Sequence, residues 1–278
     1  MDWDEKPGDG RMPVMVDAGD HLLCAQVRGE GPTVVLECGG AGQGVGGAWG
    51  EDLEAALAER ATVVTYDRAG VGRSTGSQAR TVTEMADDLH RLLRGLHVDL
   101  HVELPVVLVG WSYGGLVTQL YAARHPDDVA GLVFVDPTVT GTPPGSALVR
   151  ELSFLLASRL LRLRALFGGR NAQALRELAV TVAGMPHAMR EVAEARQATG
   201  LPPVPIRVIA ASLRPRMPKA HLEHMHADYR ALAGQSPYGQ VVTAQRSGHQ
   251  IPFEQPEIIV QMVDEVLGLL PPSPREVS

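Results

Sequence analysis

Short runs of aliphatic and β-branched residues alternate with helical stretches along most of this 278-residue chain, and that alternation leaves few folds open. Two extended segments are expected within 13–28, turning at Gly19-Asp20, with Gly29-Glu30-Gly31-Pro32 as a break after them. Further strand-like runs lie at 33–37, 62–66, 104–109, 131–135, 205–210 and 240–244. Helical stretches separate them at 49–60, from Thr81 onward, and at 113–124, 218–233 and 256–270. Thr81 and Glu84 stand at capping-box spacing, so each can satisfy an orphan amide at a helix start. A parallel strand pair needs a crossover, and a helix supplies it. The pattern therefore predicts an α/β domain on a mostly parallel eight-stranded sheet, with helices on both faces.

The alternation stops at 138–203, where Leu/Ala/Arg-rich helical segments are separated by Gly168-Gly169 and Gly184-Met185-Pro186. The simplest organisation is a core domain in two parts, 1–137 and 204–278, with 138–203 inserted as a helical cap or lid. With 45% apolar residues the chain can bury a large core, and a net charge of −7 argues against a nucleic-acid partner. The greasy stretch 152–167 is interrupted by Arg159, Arg162 and Arg164, too much charge for a membrane span, though compatible with contact to a greasy ligand. No membrane insertion is expected. The acidic start, 1–10, lacks an apolar signal region. A cytoplasmic protein is expected, with Cys24 and Cys38 reduced and 271–278 a frayed tail.

Gly110-Trp111-Ser112-Tyr113-Gly114 lies between a strand and a helix. A very sharp strand-to-helix turn forces its middle residue into a strained conformation and crowds the positions two before and two after it, where only glycine fits. Such a turn lifts the Ser112 hydroxyl above the sheet edge. A serine hydroxyl is a poor nucleophile without a base. His249, in Ser247-Gly248-His249 just after the last strand, is placed to be that base, with Gly248 allowing the loop to bend.

These residues carry a resemblance. The chain resembles the α/β-hydrolase family over nearly its whole length, at four stations in order. They are Leu36-Glu37-Cys38-Gly39-Gly40 in place of the family's oxyanion loop, Tyr66-Asp67-Arg68-Ala69-Gly70-Val71-Gly72-Arg73-Ser74 in place of its D-R-x-G-x-G-x-S turn, the Ser112 turn, and Ser247-Gly248-His249. The resemblance implies an α/β-hydrolase fold and a serine hydrolase using a Ser-His-acid triad in that family's chain order, Ser then acid then His.

A histidine base needs a carboxylate to fix its tautomer. The common family position, the loop after 205–210, holds no acid here. Asp136 is the better candidate, because it ends the strand 131–135 and a strand's C-terminal tip faces the crevice of a parallel sheet. Asp228 is the alternative; Glu223 lies beside it in the same expected helix. A dyad without an acid also remains open. The oxyanion donors expected are the Tyr113 amide and, by resemblance, Gly40, with Ala41 as its alternative. Asp67 and Arg68 read as structural. His221, His224 and His226 lack a convincing further ligand, so neither a metal nor a cofactor is implied.

Two rivals stand beside this reading. Gly42-Gln43-Gly44-Val45-Gly46-Gly47 matches the dinucleotide motif, and Asp67 follows at suitable distance, but the first glycine comes several residues after the strand. A non-enzymatic binding protein on the same fold is the other. The expected substrate is a small molecule with an apolar acyl group or ring, bound largely by 138–203. Esters, lactones and thioesters fit equally, and a biosynthetic thioesterase or cyclase is the alternative.

Overall fold

The computed structural model describes residues 12–141, 146–167, 169, 172–215 and 217–271. The expectations for 1–10, for the tail beyond Pro271 and for Gly168 lie outside the described residues. Strands β1 (Val14–Asp17), β2 (Leu22–Arg28), β3 (Thr33–Glu37), β4 (Thr62–Tyr66), β5 (Val106–Trp111), β6 (Val129–Val135), β7 (Ile206–Ala211) and β8 (Gln240–Ala244) form one sheet. Its spatial order is β1-β2-β4-β3-β5-β6-β7-β8. β2 runs antiparallel to both β1 and β4, and all other pairs are parallel. This is the α/β-hydrolase fold.

The middle strands are buried on both faces, so their side chains alternate between two cores. Val35, Leu108, Leu132 and Phe134 face one side, under α2 (Val82–Leu100) and α3 (Gly114–Arg124). Val34, Leu36, Val107, Val109, Val133 and Val135 face the other, against α1 (Glu51–Ala58) and α8 (Pro256–Leu267). The Thr81 box forms as expected, with Glu84 N donating to Thr81 Oγ1 at 3.1 Å and Thr81 N to Glu84 Oε2 at 3.0 Å.

Between β6 and β7 come α4 (Ala147–Ala165) and α5 (Ala172–Thr199). The expected break at Gly184-Met185-Pro186 does not occur, and α5 runs straight through Pro186. An interior proline costs about 3 kcal/mol through a lost hydrogen bond and a ring clash. Ala179, Thr181, Ala188 and Val192 lie buried on both sides of it, so packing outweighs that local cost. The remaining helices are α6 (Lys219–Ala233) and the short α7 (Ile251–Glu254). The loops after β3, β5, β6, β7 and β8 all emerge at the C-terminal edge of the sheet, and the candidate residues stand there.

Candidate active site

Ser112 sits in the β5–α3 turn with φ of +55°, a left-handed conformation that a side-chain-bearing residue rarely adopts. Its neighbours show why. A Cβ on Gly110 would lie 2.5 Å from Thr118 Oγ1, and one on Gly114 2.3 Å from the carbonyl oxygen of Glu37. Ser112 N donates to Val135 O at 3.0 Å, and Thr138 N to Ser112 O at 2.9 Å, fastening the turn to β6.

His249 Nε2 lies 2.9 Å from Ser112 Oγ, and its Nδ1 lies 2.6 Å from Asp136 Oδ2. The loop carrying His249 bends inward as expected, with Gly248 outside the left-handed region. Leu213 N donates to Ser247 O at 3.0 Å, Gly248 N to Glu254 Oε2 at 2.6 Å, and Trp111 Nε1 to His249 O at 3.0 Å.

Asp136 is buried, with φ of +43°. Its Oδ1 accepts from Ala211 N at 3.2 Å and lies 3.1 Å from the Tyr229 hydroxyl, and its Oδ2 also accepts from Arg214 Nη2. Burial pushes the Asp136 carboxyl up, but the His249 hydrogen bond and the Arg214 charge outweigh it and hold the group below the usual aspartate range. The alternative acid, Asp228, is elsewhere: it pairs with His224 at 3.5 Å and abuts Gly141. Glu223 forms an exposed pair with Lys219 at 3.7 Å.

The oxyanion loop abuts the serine, since a Cβ on Gly39 would sit 3.7 Å from Ser112 Cβ. Among the described residues the amides of Gly40, Ala41 and Tyr113 have no hydrogen-bond acceptor. α5 leans on this loop, with Thr181 Oγ1 donating to Gly40 O at 2.7 Å. From below, Arg68 Nη1 donates to Gly39 O at 3.1 Å and Nη2 to Cys38 O, while Nε reaches Glu37 Oε1 at 2.8 Å. The Tyr66 hydroxyl also bonds Glu37. Asp67 ties loops together, accepting from the amides of Gly44, Val45 and Arg73, each at 3.0 Å.

That last contact weighs against the dinucleotide rival. The glycine-loop amides at 44 and 45 are occupied by a carboxylate, and the next helix opens on Glu51, Asp52 and Glu54, which repel a phosphate. His221, His224 and His226 lie on α6 and converge on no shared point with a third ligand among the described residues. Ligand atoms of His90, His125 and Asp128 do lie within 4.8 Å of one another. However, the two imidazoles stack at 4.0 Å and Asp128 already accepts from Arg94 and Tyr121, an arrangement suited to a hydrogen-bonded cluster. A groove of about 680 Å³, walled by Arg214, Pro215, Met217, Pro218 and His221, opens at the arginine that pairs with Asp136.

Sequence reasoning missed Arg214, Tyr229 and the Glu37–Arg68–Tyr66 cluster. Arg214 stands in the very loop that lacks an acid, which was the available signal.

A model described as the alpha/beta hydrolase family matches residues 34–262, most of the chain. The chain belongs to the alpha/beta hydrolase family. As a member it is an enzyme of the hydrolase type. It is 25% identical over 232 residues to the YqjL protein of Bacillus subtilis, covering 82% of this chain and 81% of YqjL. It is 35% identical over 113 residues to a pimeloyl-[acyl-carrier protein] methyl ester esterase of Chromobacterium violaceum, spanning 41% of this chain and 40% of that protein. Its fold superposes on an esterase from Exiguobacterium antarcticum with a TM-score of 0.67 at 16% identity, covering 92% of this chain and 100% of the other.

Proposed function

We propose that this protein is a serine hydrolase that cleaves a carboxylic ester, lactone or thioester through an acyl-enzyme. The observation that carries this reading is the hydrogen-bonded series from Ser112 Oγ through His249 to Asp136.

Ser112 Oγ attacks the substrate carbonyl carbon while His249 Nε2 takes the hydroxyl proton. His249 Nδ1–H donates to Asp136 Oδ2, which holds the tautomer and stabilises the imidazolium. Asp136 is suited to this because it stays ionised. The carbonyl oxygen becomes an oxyanion and accepts from the amides of Tyr113 and Gly40, which have no acceptor among the described residues. His249 then gives its proton to the leaving oxygen or sulfur, the C–O or C–S bond breaks, and the acyl group remains on Ser112. A water then attacks the acyl carbon while His249 takes its proton, the C–Oγ bond breaks, and His249 returns the proton to Ser112 Oγ as the acid leaves.

Residues 138–203 serve as the lid, and α5 is the part that meets the chemistry, through Thr181 over Gly40. The groove beside Arg214 receives one arm of the substrate. Its wall of Met217, Pro215 and Pro218 supports an apolar group there. Acyl groups delivered as thioesters fit the same geometry, and the pimeloyl esterase likeness points to a hydrolase of acyl esters.

The test is a panel of p-nitrophenyl esters and acyl thioesters with Ser112→Ala as control. We expect turnover by the native protein, with the variant slower by about 10³-fold or more. Full activity in the variant would show that Ser112 is not the nucleophile. Absence of both turnover and Ser112 labelling by a small fluorophosphonate would instead favour a binding protein on this fold.

A further inference from the structure

The outward face of α4 has no part in the chemistry proposed above. Leu148, Leu152, Leu156, Leu160 and Leu163 are all exposed on it, and Phe167, 86% exposed, extends it past the helix end. At 100° per residue the five leucines fall in one stripe about 120° wide. Ser158 and Ala165 lie on the opposite side and are buried, with Ser158 Oγ donating to Ala179 O of α5 at 2.7 Å. The stripe is therefore the face left over after α4 has packed on α5.

Its charges have a single sign. Arg159 projects within the stripe, and Arg162 and Arg164 flank it on either side. All three are exposed and make no ion pair among the described residues. The one acid of α4, Glu151, faces Arg190 of α5 at 3.6 Å. This is a basic apolar strip on a chain whose net charge is −7. Pairing with a second copy through this face would set arginines against arginines. A purely apolar partner would bury three guanidinium groups without counter-charges, which is costly. At an anionic lipid surface both features are satisfied. Leucine side chains enter the acyl boundary, and arginine stems extend along it to reach phosphate oxygens.

We propose that α4 docks this protein in the plane of an anionic phospholipid surface. No helix among the described residues is long and apolar enough to cross a membrane, so α4 lies on the surface and does not span it. The acidic remainder of the molecule is repelled by the same surface, which fixes the orientation with α4 toward lipid.

The experiment is flotation of the full chain with vesicles of phosphatidylcholine, alone or mixed with phosphatidylglycerol. Binding to the mixed vesicles should exceed binding to pure phosphatidylcholine by tenfold or more, on the order expected for three arginines, and should fall as salt is raised. The triple variant Leu152→Asp, Leu156→Asp, Leu163→Asp should lose binding to both. Arg159→Gln, Arg162→Gln, Arg164→Gln should lose only the preference for the anionic vesicles. Turnover of a soluble ester checks that both variants are folded. Ser112→Ala should float like the native protein, which separates a failure of docking from a failure of the catalytic reading. The proposal is overturned if the native protein does not float with the mixed vesicles, or if either triple variant binds them as the native protein does. It is equally overturned if the leucine variant splits a solution dimer while vesicle binding is absent, which would assign the face to a second copy.

Discussion

The two oxygens of Asp136 serve Ala211 N, Tyr229, Arg214 and His249 together. Arg214 and His249 meet at the same oxygen, so the arginine keeps the carboxylate charged in a buried place while competing for the lone pairs the histidine uses. Asp136→Asn keeps the shape but offers the wrong hydrogen-bonding partner to the imidazole. Its turnover of a p-nitrophenyl ester should fall about 10⁴-fold with little change in KM. Arg214→Met removes the charge that helps hold the Asp136 pKa down. A carboxyl with a depressed folded pKa contributes stability above its unfolded value of 3.8, and loses it as pH falls through the folded value. Urea unfolding of Arg214→Met should therefore show a loss of stability at pH 7 that shrinks below pH 3.8.

At the scale of elements, the β5–α3 turn is decided by sterics. A methyl group at Gly114 would press on the carbonyls of Glu37 and Cys38, at 2.3 and 2.5 Å, so the oxyanion loop and the helix start cannot both keep their places. Gly114→Ala should cost about 3 kcal/mol and lower activity further by shifting the Tyr113 amide, read by thermal unfolding and ester turnover. On α5, burial pushes the Glu177 carboxyl up to about 7. The folded chain then holds a proton that the unfolded chain releases near pH 4.5, so stability falls as pH rises from about 4.5 to about 7. Glu177→Gln should stabilise the protein at pH 8 by about 2–3 kcal/mol more than at pH 4.5 in denaturant titrations. α5 illustrates how packing can override a local breaker. Gly184 and Pro186 are helix-stopping residues by themselves, yet buried residues from Glu177 to Val192 lie on both sides of them, and α5 packs on α3 and α4.

Over the whole molecule, the sheet separates two cores and places its site along one edge. β3, β5 and β6 are covered on both faces, whereas β8 closes the sheet with four of its five residues at least partly exposed. Local opening follows burial. Amide hydrogen exchange should be slowest in β3, β5 and β6 and orders of magnitude faster in β8 and β1. Comparable protection in β8 would mean that another surface covers that edge. Ser112, Asp136 and His249 come from loops after three different strands, so the proposed mechanism depends on the order β5-β6-β7-β8 being kept.

What could be read from residues alone was local and repetitive. Periodicity placed all eight strands to within about two residues, because alternating burial and β-branched runs are properties of neighbouring positions. The glycine spacing around Ser112 marked a turn that only one strained conformation satisfies, and the Thr81 box formed as its spacing required. The choice between Asp136 and Asp228 depended on which strand tip faces His249, a relation spanning 113 residues of sequence. Arg214 and Tyr229 reach Asp136 across 78 and 93 residues; the acid-free loop around Arg214 is a hint of the first contact, and no local pattern announces the second. The continuity of α5 and the bare leucine stripe of α4 likewise appear only once the helices are packed. Short-range sterics and periodicity are written in adjacent residues. Which distant loops share one oxygen atom, and which helix face is left uncovered, is settled by the packing of the whole sheet.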